Sequence, residues 1–150
     1  MMLLSKRALL AVAAVVDVAM HARPLPVAAK SLASRHNLPP RHLETLLQSL
    51  VRASILKGVR GPKGGYELAR ERRRITMGEI VRVAILSEES DDVTAANSSK
   101  LISSVVAPMV VDAGAGLMAA LDSVTVEDLC NRSQKAGVFQ NNTPTVDFTI

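Results

Sequence analysis

The sequence predicts a mainly α-helical fold with one small β-hairpin. Three observations predict it: two short amphipathic segments separated by a tight turn, a glycine-rich hairpin directly after them, and a long, weakly polar helical segment further along. With 150 residues, 48% of them hydrophobic, the chain is long enough for one ordinary core and too short for two full-sized domains. We therefore expect one domain with an appended helical element.

The first predicted helix follows Ser5, a suitable N-cap. The positions that recur at helical spacing, and that we expect to be buried, are Leu9, Val12, Val16 and Met20. This opening segment is similar to a secretory signal, but Asp17 interrupts it, and the apolar stretch 8–16 is far shorter than the roughly 20 residues that span a bilayer. We interpret it as a buried helix of a cytoplasmic protein.

Two helices joined by a tight turn come next. Pro24 and Pro26 end the first helical pattern. A second helix is predicted over about 27–36, with Ala28, Leu32 and Ala33 facing inward and Lys30, Ser31 and Arg35 outward. Asn37 tolerates a left-handed backbone, and Pro39-Pro40 begin a third helix over about 40–53. Its apolar face consists of Leu43, Leu46, Leu47 and Leu50.

Two short runs, 55–60 and 66–69, flank a turn at 61–65 that is rich in glycine and proline, which indicates a β-hairpin. A hairpin directly after a helix-turn-helix is the layout of a winged helix domain. A basic run, 70–74, leads to Thr76, which has Glu79 at the spacing of a capping box. That box predicts a fourth helix over 77–86, and the winged helix-turn-helix domain is expected to cover 1–86.

The remaining sequence predicts a linker over 87–98, dimerisation helices over 99–132 and a flexible tail over 133–150. Pro108 should kink or divide the long helix, 99–121, and Thr125 should cap a short last helix that ends at Arg132. Gly116 is among the small residues that would allow another helix to approach closely. The residues expected to form the dimer contact are Ile102, Val106, Met109, Ala113, Leu117 and Ala120.

Charge is distributed unevenly along the chain. Residues 1–85 contain 15 Lys or Arg against 5 Asp or Glu, whereas residues 86–150 contain 3 against 9. A basic first half indicates a polyanionic partner. Because the only aromatic residues are Tyr66, Phe139 and Phe148, a stacking platform for single-stranded bases is hard to build. Double-stranded DNA is the predicted partner, ahead of RNA.

Several segments together resemble one protein family. They are Ser5-Lys6, Leu43-Glu44, the wing 59–66 with its pattern R-G-P-x-G-G-Y, and Met77-Gly78-Glu79-Ile80. They resemble the Rrf-two family of bacterial winged-helix regulators, the group of IscR, NsrR, RirA and CymR, over roughly the first 85 residues and more loosely at 124–129. The resemblance implies a homodimeric transcription regulator, a repressor by expectation, that reads a two-fold symmetric operator with the third helix and the wing.

Groove chemistry gives expected roles to the exposed residues of these two elements. On the third helix, Arg41 could read guanine, Gln48 adenine, and Glu44 a cytosine amino group. Glu44 could equally be a first-turn carboxylate that opposes the helix dipole, and His42 a plain solvent-facing residue. Arg60 is expected to enter the minor groove. The full predicted DNA-binding set is Arg41, His42, Glu44, Thr45, Gln48, Arg52, Lys57, Arg60, Lys63, Gly64 and Gly65, with Lys57, Lys63 and the two glycine amides on phosphates.

No cofactor, metal site or catalytic residue is predicted. Several family members hold an iron–sulfur cluster through three cysteines ahead of the long helix, but residues 86–111 here contain neither cysteine nor histidine. Cys130 is a candidate redox thiol, with a small core residue as the alternative. The histidines lack metal-ligand spacing and the glycines match no nucleotide loop, so an enzyme is not expected. The effector is an unidentified small molecule, a protein, or nothing at all. No membrane is expected, and the rival function is a winged-helix module that docks only proteins.

Overall fold

The computed structural model describes residues 4–88 and 99–139. Within these ranges the chain forms helices joined by one antiparallel hairpin, as the sequence predicts. The helices are α1 Lys6–His21, α2 Ala29–Arg35, α3 Pro40–Arg52, α4 Met77–Glu88, α5 Ala107–Asp122 and α6 Val126–Ala136. The strands are β1 Leu56–Val59 and β2 Gly65–Leu68, and a single 3-10 turn covers Arg72–Arg74.

Helix α1 is the centre of the core, in contact with α4, α6 and β2. It begins as predicted, because the amide of Ala8 donates to the Ser5 hydroxyl at 3.2 Å. Val12 and Val16 are buried and Met20 is half-buried, but Leu9 is 41% exposed, so its predicted burial is wrong. The nearly continuous apolar run left the buried face ambiguous, and α1 buries small residues on several sides instead.

A buried carboxylate joins α1 to α2. Asp17 has no exposed surface, and it accepts hydrogen bonds from Arg35 Nε at 2.8 Å and Nη2 at 2.6 Å. Nε2 of His36 lies 2.9 Å from Oδ2, and Nδ1 of His21 lies 3.1 Å from Oδ1. Arg35 is therefore held against α1 rather than simply facing outward, and its hydrogen bond to Asp17 raises the pKa of the guanidinium.

Helix α2 is shorter than predicted and starts at Ala29. Val27 forms a β-bridge with Tyr66, so it extends the sheet instead of the helix. Ala28 becomes the N-cap and is exposed, which corrects its predicted inward position, while Leu32 and Ala33 are buried as expected. Asn37 adopts the predicted left-handed conformation with φ 53° and turns the chain into α3.

The bridge between Val27 and Tyr66 attaches the hairpin to the helix-turn-helix. The Val27 amide donates to the Tyr66 carbonyl at 2.9 Å, and the Tyr66 amide donates to the Val27 carbonyl at 2.8 Å. The other edge of β2 pairs with β1, with Leu56 opposite Leu68 and Val59 opposite Gly65. The two-stranded sheet and this single bridge together hold the hairpin next to the start of α2.

Helix α4 begins with the predicted capping box. The Glu79 amide donates to the Thr76 hydroxyl at 3.2 Å, and the Thr76 amide donates to the Glu79 carboxylate at 2.9 Å. The helix continues through Glu88, two residues beyond its predicted end, so it includes the first part of the segment predicted as a linker. The rest of that segment, 89–98, lies outside the described residues.

The long helix is continuous across Pro108. A π-helical turn at Ile102–Val106 leads directly into α5, so the proline does not divide the helix. Proline lacks an amide donor and crowds the carbonyl four residues earlier, and a wider turn just before it accommodates both effects. At the far end of α5, Arg82 of α4 binds Asp122 through two hydrogen bonds of 2.7 Å.

Helix α6 is capped by Thr125 as predicted but ends later than expected. Asp128 completes a capping box, accepting from the Thr125 amide at 2.9 Å. The helix continues past Arg132 to Ala136 and ends at Gly137, which has φ 68°. Residues 133–136 are therefore helical, which corrects the predicted flexible tail at its start; residues 140–150 lie outside the described residues. Phe139 packs edge-on against His21, with ring centroids 4.8 Å apart.

Candidate nucleic-acid interface

The outer face of α3 is polar and exposed. All four leucines of its inner face, Leu43, Leu46, Leu47 and Leu50, are completely buried, as predicted. Packing of that face against the core turns the opposite side of the helix to solvent. The predicted recognition residues on the exposed side are Arg41, His42, Glu44, Thr45, Gln48 and Arg52. Each of these side chains is free to approach a ligand without rearrangement of the helix.

The hairpin follows α3 after a left-handed turn at Ser54, with φ 59°, and β1 contacts α3. Arg60 and Lys63 are exposed near its tip, and neither has an ion-pair partner among the residues the structure describes. Lys57 differs, because its Nζ lies 3.0 Å from the Glu67 carboxylate on the opposite strand. A phosphate contact by Lys57 must therefore compete with an existing, exposed ion pair.

The glycines of the hairpin serve its shape. The Gly64 amide donates to the Gly61 carbonyl at 2.9 Å, so it holds the turn and does not point outward, which corrects its predicted phosphate contact. Gly65 has φ 156°, and a Cβ there would strike the Val27 carbonyl; a Cβ on Gly64 would strike that of Val59. Tyr66 forms its backbone hydrogen bonds with Val27, on one side of β2. Because backbone groups of successive residues in a strand point to opposite sides, the Gly65 amide points toward β1, where Gly65 pairs with Val59. This corrects the predicted phosphate contact of the Gly65 amide.

One arginine of the basic run has a structural role that the sequence does not reveal. Arg70 donates to the carbonyls of Ser54 and Arg74, at 3.2 Å each, and to the Glu79 carboxylate at 3.2 Å. It thereby connects the end of α3 to the start of α4. Its neighbours Arg73 and Arg74 are 67% and 73% exposed. These two side chains are therefore accessible to a binding partner, whereas Arg70 is engaged within the fold.

The helix from 102 to 122 exposes a large apolar surface. Met109, Val110 and Val111 are 67%, 65% and 69% exposed, and Ile102 and Val106 also face solvent. Of the predicted dimer residues, Ala113 and Ala120 are exposed and Leu117 is half-buried. By length and composition alone, the helix could also cross a membrane. An exposed apolar surface of this extent is typical of a contact surface.

The side chains that the structure describes do not form a metal or cluster site. Within 4–88 and 99–139, no group of three or more His, Cys, Asp or Glu side chains could hold a metal ion. Cys130 is 1% exposed in the core, and burial raises the pKa of its thiol, although the nearby Arg72 opposes the shift. A buried thiol with a raised pKa forms little thiolate, which favours the core interpretation over a redox role.

A family model described as "Rrf2: Iron-dependent Transcriptional regulator" matches residues 4–132. The chain belongs to the Rrf2 family. This assignment confirms the resemblance found in the sequence and the winged helix-turn-helix fold, and the relatives that the chain matches are named as transcriptional regulators. The match continues well past the first 85 residues, through the long helix and most of α6.

Rrf2 regulators are also found among the similar sequences and structures. The IscR protein of Vibrio atlanticus is 34% identical over 93 residues, which are 62% of this chain and 52% of that protein. The structure of T. potens IscR has a TM-score of 0.69 and 33% identity, covering 90% of each chain. The structure of CymR from B. subtilis has a TM-score of 0.65 and 30% identity, covering 88% of this chain and 98% of the other. The chain spans about half the length of the curated relatives it matches.

Proposed function

We propose that this Rrf2 chain is a homodimeric, cytoplasmic repressor that binds a two-fold symmetric DNA operator. One observation supports the proposal above all: the polar face of α3 and the tip of the hairpin are both exposed, and the Val27–Tyr66 bridge fixes them in one unit. A recognition helix and an adjacent hairpin held in this way suit a major groove and the neighbouring minor groove of a duplex.

Sequence readout is assigned to the outer face of α3. Arg41 is suited to guanine, Gln48 to adenine and Glu44 to a cytosine amino group. Arg60, exposed and without a carboxylate partner among the described residues, enters the minor groove, where the negative potential attracts arginine. Lys63 contacts a phosphate, while Gly64 and Gly65 shape the hairpin rather than bind the ligand.

Dimer formation is assigned to the exposed apolar surface of the long helix. Ile102, Val106 and Met109 would leave a large apolar area in water if the chain were a monomer. A second copy of the chain covers that area and supplies the two-fold axis that a symmetric operator requires. The same coverage removes the reason to place this helix in a membrane.

The proposed regulator works without an iron–sulfur cluster. The family description names iron, but residues 86–111 hold no thiolate or imidazole ligand, and Cys130 is in the core. Iron–sulfur clusters in proteins are held by cysteine and histidine side chains. The signal that controls DNA binding must therefore reach the protein by another route.

Binding of selected duplexes tests the function. Fragments bound by the full chain are selected from genomic DNA of the source, and the affinity for the enriched site is measured by fluorescence anisotropy over a range of salt concentrations. We expect a steep salt dependence, because phosphate contacts release counterions. Salt-insensitive binding to a protein, with no enriched duplex, would establish the protein-docking alternative instead.

Two variants separate base-specific contacts from the sequence-independent attraction between basic side chains and DNA. Arg60→Ala should weaken binding to the selected site by about 1–3 kcal/mol, and Gln48→Ala should change the base preference more than the affinity for random duplex. Arg132→Ala, which removes an exposed arginine from α6, is the matched control and should leave the affinity unchanged. Equal losses in Arg60→Ala and Arg132→Ala would contradict the assignment of the hairpin to the minor groove.

A further inference from the structure

A cavity of about 700 Å³ lies away from the exposed face of α3. Its walls come from the end of α1, the end of β2, the 3-10 turn and the start of α6. Ala19, Met20 and Leu68 contribute apolar surface, and charged side chains complete the lining. Small-molecule sites commonly have this volume and combine apolar walls with a few polar groups that fix the ligand.

Most of the charged side chains around the cavity are already neutralised. Arg73 Nε lies 2.7 Å from Glu71, Arg70 binds Glu79, and Glu67 is paired with Lys57. These pairs leave little net charge for a ligand. Recognition must therefore depend on the side chains that remain.

Two arginines at the cavity have no carboxylate partner within 4.0 Å among the described residues: Arg23, on the segment after α1, and Arg72, on the 3-10 turn. Arg72 also lies near the Cys130 thiol. Glu127 is the one acidic side chain of the lining for which the described residues provide no ion pair. Two unpaired cations against one unpaired anion give the cavity an excess positive charge, next to apolar walls.

We propose that this cavity binds a small organic anion, a carboxylate on a short apolar chain, and that this ligand is the effector of the regulator proposed above. Arg23 and Arg72 hold the carboxylate, since guanidinium groups form strong, charge-assisted hydrogen bonds to carboxylates. Met20 and Leu68 contact the apolar chain. Glu127 excludes ligands that carry several negative charges.

The position of the cavity provides the link to DNA binding. Leu68 and Glu67 belong to β2, the strand whose other end pairs with Val27 and leads into the hairpin tip. A ligand that prefers one position of β2 shifts the hairpin together with the Val27 segment that is bonded to it. Ligand binding and DNA binding then change each other's affinity by the same factor.

Titration of the full-length protein with sodium hexanoate tests the site in the absence of DNA. Two-dimensional NMR of the ¹⁵N-labelled chain should show saturable shifts of the Leu68 and Arg72 amides. Arg23→Ala and Arg72→Ala should each weaken binding about tenfold or more, since each variant removes a hydrogen bond to a charged carboxylate. Both side chains belong to exposed residues, so the variants should fold.

Two controls test whether binding depends on the position of the arginine and on the sign of the ligand's charge. Arg74→Ala removes a 73% exposed arginine from the same run, outside the cavity lining, and should bind hexanoate like the wild type. Hexylammonium should not bind. Shifts that fail to saturate, equal affinity in all three variants, or equal binding of hexylammonium would overturn the proposal.

A DNA measurement then separates this proposal from the proposed function. Anisotropy titrations of the selected duplex with and without saturating hexanoate should give different affinities in the wild type and equal affinities in Arg23→Ala. Unchanged wild-type affinity would overturn the effector role. Saturable hexanoate binding by a chain that binds no duplex would support the site while contradicting the DNA-binding function.

Discussion

Replacement of Asp17 by asparagine should destabilise the fold strongly, because it removes the charge that holds Arg35 between α1 and α2. Asp17 is fully buried and accepts two short hydrogen bonds from that guanidinium. Removal of one partner from a buried ion pair costs about 3–5 kcal/mol, since the other charge is left uncompensated. Arg35 keeps 23% of its side-chain surface exposed and can turn toward water, so we expect the lower end, about 3 kcal/mol.

That loss is large against the roughly 5–15 kcal/mol by which a domain of this size is stable. Urea unfolding followed by far-ultraviolet circular dichroism measures it, at neutral pH and one fixed protein concentration because a dimer unfolds in a concentration-dependent way. A double-mutant cycle with Arg35→Gln should give a large coupling energy between the two residues, because they are in direct contact.

Asp122→Asn is the matched control for this experiment. Asp122 also receives two hydrogen bonds from one arginine, Arg82, at 2.7 Å each, but this pair lies on the surface, with side chains 40% and 48% exposed. We expect a far smaller loss, because water screens exposed ion pairs. A loss below about 1 kcal/mol for Asp17→Asn, or equal losses for the two variants, would refute the argument from burial.

Three further results are expected. Gly65→Ala should cost about 2–3 kcal/mol in thermal or urea unfolding, since Gly65 is at φ 156° and a Cβ would meet backbone, whereas Gly58→Ala has open space and should cost far less. Met109→Lys, on the exposed apolar helix, should shift the molecular mass in analytical ultracentrifugation from dimer to monomer without loss of helicity; an unchanged dimer would place the contact elsewhere. The capping hydrogen bonds from Thr125 lower the pKa of Asp128. The stabilisation by the ionised carboxylate is therefore present above the ordinary aspartate pKa and is lost as the pH falls through the lowered pKa of Asp128. Melting temperatures between pH 2 and 5 should depend on pH less in Asp128→Asn than in the wild type.

Elements with a clear two-sided pattern were predictable from the sequence. Helix α3 was predicted correctly because leucine at 43, 46, 47 and 50 leaves only one way to bury the helix, and polar residues fill the other face. The starts of α1, α4 and α6 were equally predictable, because Ser5, Thr76 and Thr125 are caps whose hydrogen bonds are local. Local chemistry within a few residues determined each of these features.

Features that depend on distant contacts were not predictable. The apolar pattern of α1 could not show that Leu9 would be exposed, because residues of almost every face are apolar. Asp17 was recognised only as an interruption of that pattern, although an acidic residue in a buried helix signals a cationic partner elsewhere. The sequence showed that the hairpin needs Gly64 and Gly65, but only the structure shows that neighbouring backbone, and not a phosphate, requires them.

The pair of hydrogen bonds between Val27 and Tyr66 has a consequence for the shape of a duplex bound as proposed above. Since this bridge ties the hairpin to the segment that begins the helix-turn-helix, the hairpin cannot swing independently to meet grooves of different spacing. The distance between α3 and the hairpin then stays constant, and the DNA must bend or twist to match it. Base steps that twist or bend at low cost should be enriched between the two contacted grooves, at positions that no side chain touches.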